Sequence, residues 1–106
     1  MKTHNYLDNF RTYQLAVEFY RQCERLKAPG HIKSQLLRSS SSIALNLAEG
    51  SAKPTNGDKR RFYSIALGSL RESQAALDLA NTASPSLIKT ANILGAYIFK
   101  LRARTG

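Results

Sequence analysis

The segment RSSSSIALNLAEG, Arg38 to Gly50, sets four consecutive serines, an asparagine and a glutamate inside a stretch that otherwise reads as helix. Serine has modest helix propensity because its hydroxyl competes for backbone hydrogen bonds. A polar atom buried without a partner costs ~1–3 kcal/mol. On a helix, Arg38, Ser42, Asn46 and Glu49 fall on one stripe, at i, i+4, i+8 and i+11. Leu36, Ser40, Ile43 and Leu47 form a neighbouring apolar stripe. The polar stripe needs something to satisfy it, and the choices are a second helix, another subunit or a ligand.

Outward from this segment, breaker signals divide the chain into four helical stretches. The first runs from about Asn9 to Lys27, with Phe10, Tyr13, Val17 and Tyr20 at helical spacing and Ala16, Phe19, Cys23 and Leu26 widening the stripe. Asp8 or Asn9 can cap its start, Lys27 suits its C-terminal dipole, and Ala28-Pro29-Gly30 stops it. The second runs from about His31 to Glu49, with Gly50 as the left-handed residue beyond its end, and Ser51 to Asn56 forms a short loop. Thr55 followed by Asp58 resembles a capping box and opens a third helix that runs to about Asn81.

On that third helix Phe62, Ile65, Ala66, Leu70, Ala76, Leu77 and Ala80 recur at three- and four-residue steps. Gly68 in its interior costs ~1 kcal/mol relative to alanine, which implies compensation by a close helix approach. Ser84-Pro85 supplies an N-cap and a proline at the first helical position. The last helix carries Leu87, Ile88, Ala91, Leu94, Gly95, Ile98 and Leu101, then frays from Arg102. Four amphipathic helices with short connections predict an all-α, antiparallel up-down-up-down four-helix bundle over residues 9–102, with tails at 1–8 and 103–106.

At 106 residues, 42% of them hydrophobic, the chain suits one domain of ordinary composition. No apolar run approaches the ~18 residues of a membrane span, and the N-terminus lacks the apolar core of a signal peptide. Cys23, the single cysteine, has no partner for a disulfide or a cysteine-based zinc site. A cytoplasmic protein with no membrane contact is the expectation. Sixteen Lys and Arg against seven Asp and Glu give a net charge of +9. Such an excess favours polyanions by counterion release; a merely solvated surface and an acidic protein or membrane partner are the alternatives. Lys53, Lys59, Arg60 and Arg61 cluster around one connection, and Lys100, Arg102 and Arg104 form a basic C-terminal end.

Catalytic patterns are missing. His4 and His31 lie in the N-terminal tail and at a helix start, without a carboxylate–nucleophile arrangement beside them. Neither zinc-protease nor di-iron spacing occurs, and Gly50, Gly57 and Gly68 make no phosphate loop. No enzyme, metal or cofactor is expected. Cys23, Tyr13, Tyr20, Phe62, Tyr63 and Phe99 read mostly as core residues, one or two of the rings being open to stacking on a base. Glu49 and Glu72 read as parts of a polar network. In it Asn46 and Ser69 bond across a helix pair and the glutamates meet arginines such as Arg38 or Arg71.

Ser42-Ile43-Ala44-Leu45-Asn46-Leu47-Ala48-Glu49-Gly50 resembles the S-I-x-x-N-I-A-E-G signature of the four helix bundle proteins, also called 23S rRNA intervening-sequence proteins. Phe62, then Ala66-Leu67-Gly68-Ser69-Leu70 and Glu72, is similar to that family's F-x-x-x-A-x-G-S-x-x-E block, and Phe10 to Val17 resembles its opening helix. Leu47 stands where the family usually has Ile, and His31-Ile32 where an acidic residue often follows Pro29. The resemblance implies a four-helix bundle that assembles as a ring, usually a homopentamer. It also implies kinship with the barrel-shaped accessory proteins of diversity-generating retroelements, which bind nucleic acid and a reverse transcriptase.

Apolar width points to assembly on its own. The first helix has Leu15, Phe19 and Leu26 beside Tyr13, Val17 and Tyr20, more than one bundle seam needs, and a closed ring of copies would cover the excess. The resulting expectation is a homo-oligomer that binds RNA or DNA. Its phosphate contacts are Lys53, Lys59, Arg60 and Arg61, with Lys33, Arg71 and Lys100 in support. A scaffold for a reverse transcriptase, other polymerase or ribosome-related protein is the alternative.

Overall fold

Local capping chemistry accounts for most of the helix boundaries. In the computed structural model, which describes Leu7 and residues 10–105, the chain forms α1 (Arg11–Arg25), α2 (Gly30–Ser51), α3 (Asn56–Ala80) and α4 (Pro85–Arg104). Thr55 accepts a hydrogen bond from the Asp58 amide at the start of α3, and Ser84 accepts one from the Leu87 amide at the start of α4. Asp8 and Asn9, the expected caps of α1, lie outside the described residues, as does His4.

Two ends depart from the sequence reading. Gly50 does not leave the helix: α2 continues through Ser51, and the left-handed residue among those described is Asn81 (φ 55°), which closes α3. α1 stops at Arg25 rather than Lys27, because Lys33 of the next helix donates to the carbonyls of Glu24 and Leu26 and takes over its C-terminal dipole. At the far end α4 stays helical to Arg104, two residues beyond the expected domain limit.

Each helix packs on its sequence neighbours, α4 closes on α1, and the diagonal pairs make no close approach. Contact register gives the directions. Ser42 faces Ser69 and Ser39 faces Ser73; Gln74 faces Asn92; the Thr82 hydroxyl, ahead of α4, reaches the Lys27 carbonyl beyond α1. All these pairings run antiparallel, so the bundle is up-down-up-down. Phe19, Cys23, Leu36, Ile43, Leu47, Leu70, Leu94 and Ile98 are fully buried at its centre. On α1 the buried line is Thr12, Ala16, Phe19 and Cys23, whereas Tyr13, Val17 and Tyr20, the expected seam, are only half-buried on its flank.

The close approach expected at Gly68 occurs elsewhere. Gly68 is exposed, and a Cβ there would meet nothing within 4 Å. A Cβ at Gly50 would lie 2.8 Å from Tyr63 Cε1 and 2.9 Å from Phe62 Cβ. At Gly95 it would lie 2.9 Å from Leu70 Cδ2. Gly50→Ala is therefore expected to lower stability by about 1–3 kcal/mol through overpacking. Gly68→Ala should raise it by roughly 0.5–1 kcal/mol by removing backbone entropy from the unfolded chain. Denaturant melts of both variants followed by circular dichroism check the opposite signs.

Candidate nucleic-acid interface

Small side chains line the contact between α2 and α3, the most extensive in the bundle. They let the backbones approach, and the hydroxyls then pair directly. Ser39 Oγ lies 2.8 Å from Ser73 Oγ, fully buried, and Ser42 Oγ lies 2.9 Å from Ser69 Oγ. Ser73 Oγ also lies 3.0 Å from the Ser69 carbonyl and Ser39 Oγ 3.3 Å from the Leu36 carbonyl, so one hydroxyl donates to the other while that partner donates to its own backbone. Asn46 does not reach Ser69; its amide donates to Ser42 O and Oγ on its own helix, at 2.9 and 3.0 Å. Among the described residues every buried side-chain N and O has a partner.

Arg38 pairs with Glu72 across the same seam, but Glu49 meets a lysine, Lys53, at 3.1 Å rather than an arginine. Of these two pairs only Arg38–Glu72 crosses between helices, and a solvent-facing pair of this kind adds little stability. The polar stripe is thus satisfied within the chain: Arg38 and Ser42 by α3, Asn46 by its own helix, and Glu49 by Lys53 just beyond α2. Ser39 and Ser73, which the sequence reading left out of the network, form its most buried link. They sit one turn along from Ser42 and Ser69 in the same antiparallel register.

Topology next decides where the cations go. α2 ends, α3 begins, α4 ends and α1 begins at one end of the bundle. That end collects Lys53, Lys59, Arg60 and Arg61 with Lys100, Arg102, Arg104 and Arg11, against Glu49 and Asp58 among the described residues. The two basic segments of the sequence therefore form one surface. A cleft of about 260 Å³ opens there between Leu7, Phe10, Ser51, Lys59 and Tyr63. A second hollow, about 250 Å³, lies at the opposite end between α3 and α4, lined by Gln74, Asp78, Asn81 and Asn92 with Leu77 and Ile88; it carries no cation to hold a phosphate.

The individual cations differ in what they already do. Lys59 Nζ donates to the Ser51 carbonyl at 2.9 Å, closing the end of α2. Lys33 does the same for α1, and both are the fourth residue of their helix. Lys53 lies 5.1 Å and Arg61 4.9 Å from the centre of the Phe62 ring, and Arg102 lies 5.6 Å from that of Phe99. Arg60 and Lys100 are exposed. Arg71 sits away from this end, donating to Gln74 Oε1 at 2.9 Å, and Lys33 belongs to the opposite end. Arg102 and Arg104, read from the sequence as a basic C-terminal end but not as phosphate contacts, join the surface, as does Arg11, which the sequence reading did not single out; the shared end of α1 and α4 in an up-down bundle was the available signal.

The two motif blocks, Ser42–Gly50 and Phe62–Glu72, prove to be the facing halves of the α2–α3 seam. The family model described as 23S rRNA-intervening sequence protein matches residues 9–94. The chain belongs to this family. No curated protein matches it. In the family's terms, Gly50 is the glycine that lets Tyr63 lie against α2, and Ser42 and Ser69 are the hydroxyl pair at mid-seam.

Two chemical tests separate structure from surface. Burial pushes the Cys23 thiol up to about 12, against the Ser40 hydrogen bond and the Lys33 charge, which lower it. Thiolate is the reactive form, so Cys23 should resist a disulfide reagent at pH 8 in the folded protein and react once unfolded. Lys59→Ala should cost about 0.5–1 kcal/mol by exposing the α2 carbonyl end, whereas Arg60→Ala should stay within roughly 0.5 kcal/mol. Urea melts distinguish them.

Proposed function

We propose that this protein is a non-enzymatic homo-oligomer that binds nucleic acid at the basic end of its bundle. The gathering of Arg60, Arg61, Lys100, Arg102 and Arg104 at one end, with two carboxylates beside them among the described residues, carries the reading. Phosphates displacing counterions from such a surface gain entropy without any base contact. The family description refers to 23S rRNA, which makes RNA the first probe. A non-catalytic role is supported by the inert environment of Cys23 and by the absence, among the described residues, of three or more His, Cys, Asp or Glu grouped to hold a metal ion.

Assembly is supported by uncovered apolar surface. Leu45 is 68% and Ile65 44% exposed, and both lie on the outer side of the α2–α3 pair beside neutral Ser42, Asn46 and Ser69. A second copy can cover that face without bringing basic ends together, and a closed ring, the pentamer that the resemblance implies, would repeat the basic end around its rim. Docking of an acidic polymerase or ribosome-related partner is the second reading; exposed Leu79, Ile88 and Ile93, remote from most of the basic end, favour it.

Neutralising Arg60, Arg61, Lys100 and Arg104 together should weaken binding of a labelled single-stranded RNA and flatten its log affinity against log salt by about 0.7 per lost contact. Unchanged affinity would favour the protein-docking reading. Leu45→Asp with Ile65→Asp should lower the mass seen by light scattering while helicity persists.

A further inference from the structure

We infer that the basic end takes single-stranded rather than duplex nucleic acid, with the Phe99 ring as the platform on which an unpaired base stacks. The inference rests on the nucleic-acid reading above and deepens it.

Phe99 does not belong to the core. The buried line of α4 is Leu87, Ala91, Leu94, Gly95 and Ile98, and Phe99 leaves that line with 55% of its surface in water. Isolated exposed apolar residues are common and need no explanation. Phe99 differs in its neighbours: Lys100 is adjacent, and the Arg102 guanidinium, one turn on, already lies over the ring, 5.6 Å from its centre. Across the same end, Phe62 has Lys53 and Arg61 over its ring but is half-buried, which leaves Phe99 the more open of the two. A ring with a guanidinium over one face and a lysine next to it matches what an exposed strand requires. The base meets the π-face while its phosphates meet the charges.

Duplex fits this surface poorly. Paired bases are stacked on one another and show only their edges, which are read by a helix or strand projecting into a groove. Among the described residues, helix termini and a short connection make up this end, with no projecting element. A second copy of the chain is disfavoured as the occupant, because self-contact at Phe99 would set Lys100, Arg102 and Arg104 against like charges.

The chain contains no tryptophan, so Phe99→Trp introduces its only indole at the platform, excited at the red edge of the absorption band apart from the five tyrosines. Ile88→Trp, near the other end of the same helix, serves as control. Each variant is titrated with a labelled oligouridine of about 12 nucleotides, within the site size of known single-strand binders, and with an RNA duplex of equal length. Label anisotropy reports binding and indole emission reports stacking. Single-strand binding should quench Phe99→Trp and leave Ile88→Trp unchanged. Phe99→Ala should bind the single strand roughly tenfold more weakly with an unaltered salt slope, because stacking releases no counterions. Saturated binding without quenching, full affinity in Phe99→Ala, or a duplex bound as tightly as the single strand would each overturn the inference while leaving the basic-end reading intact. An unmodified protein that changes the anisotropy of neither probe would overturn both.

Discussion

The hydroxyl-lined contact between α2 and α3 governs the arrangement of everything else. Ser39 with Ser73 and Ser42 with Ser69 join the helices at a separation that larger side chains would forbid. Gly50 extends the same closeness to the end of the seam, where Phe62 and Tyr63 lie against it. A serine pair of this kind contributes only ~1 kcal/mol net, so the seam acts less through strength than through selectivity. Sliding one helix by a residue would break both hydroxyl pairs at once and leave Ser39 and Ser73 only the carbonyls of their own helices, which favours the observed register.

Register in turn sets the shape of the surface. With α2 and α3 locked, their connection is drawn tight, and Lys59 reaches back to the last carbonyls of α2. Lys33 repeats the arrangement between α1 and α2. Two of the chain's cations are thereby engaged by backbone carbonyls, which lowers their value as phosphate ligands. The remainder of the basic end stays at the surface, partly ordered by the rings of Phe62 and Phe99.

The family motif acquires a physical meaning in this light. Its small and polar positions Ser42, Ser69, Gly50 and the Arg38–Glu72 pair face one another across a single helix contact. Leu45 and Ile65, beside that contact on its outer side, expose apolar surface next to neutral groups. Inside and outside faces of the same two helices thus have distinct chemistry: hydroxyls knit the chain to itself, and aliphatic groups remain exposed.

Much of this was legible in the residues themselves. Caps at Thr55 and Ser84, the proline–glycine break before α2 and the three-to-four spacing of apolar positions are local properties, and they determined the number and order of helices. So did the conclusion that the Arg38–Glu49 stripe must find partners, since an unpaired buried polar atom is too costly. What those partners would be was not legible: Asn46 turns back to Ser42, Glu49 takes Lys53, and Ser39 with Ser73 carries the buried link. Nor could spacing tell which glycine would be crowded, because Gly50 and Gly68 both lie in helices and differ only in what stands opposite. Only the tertiary structure joined the connection after α2 to the end of α4 as one basic surface, for a helix's length and direction decide which distant charges become neighbours, and no local signal records that.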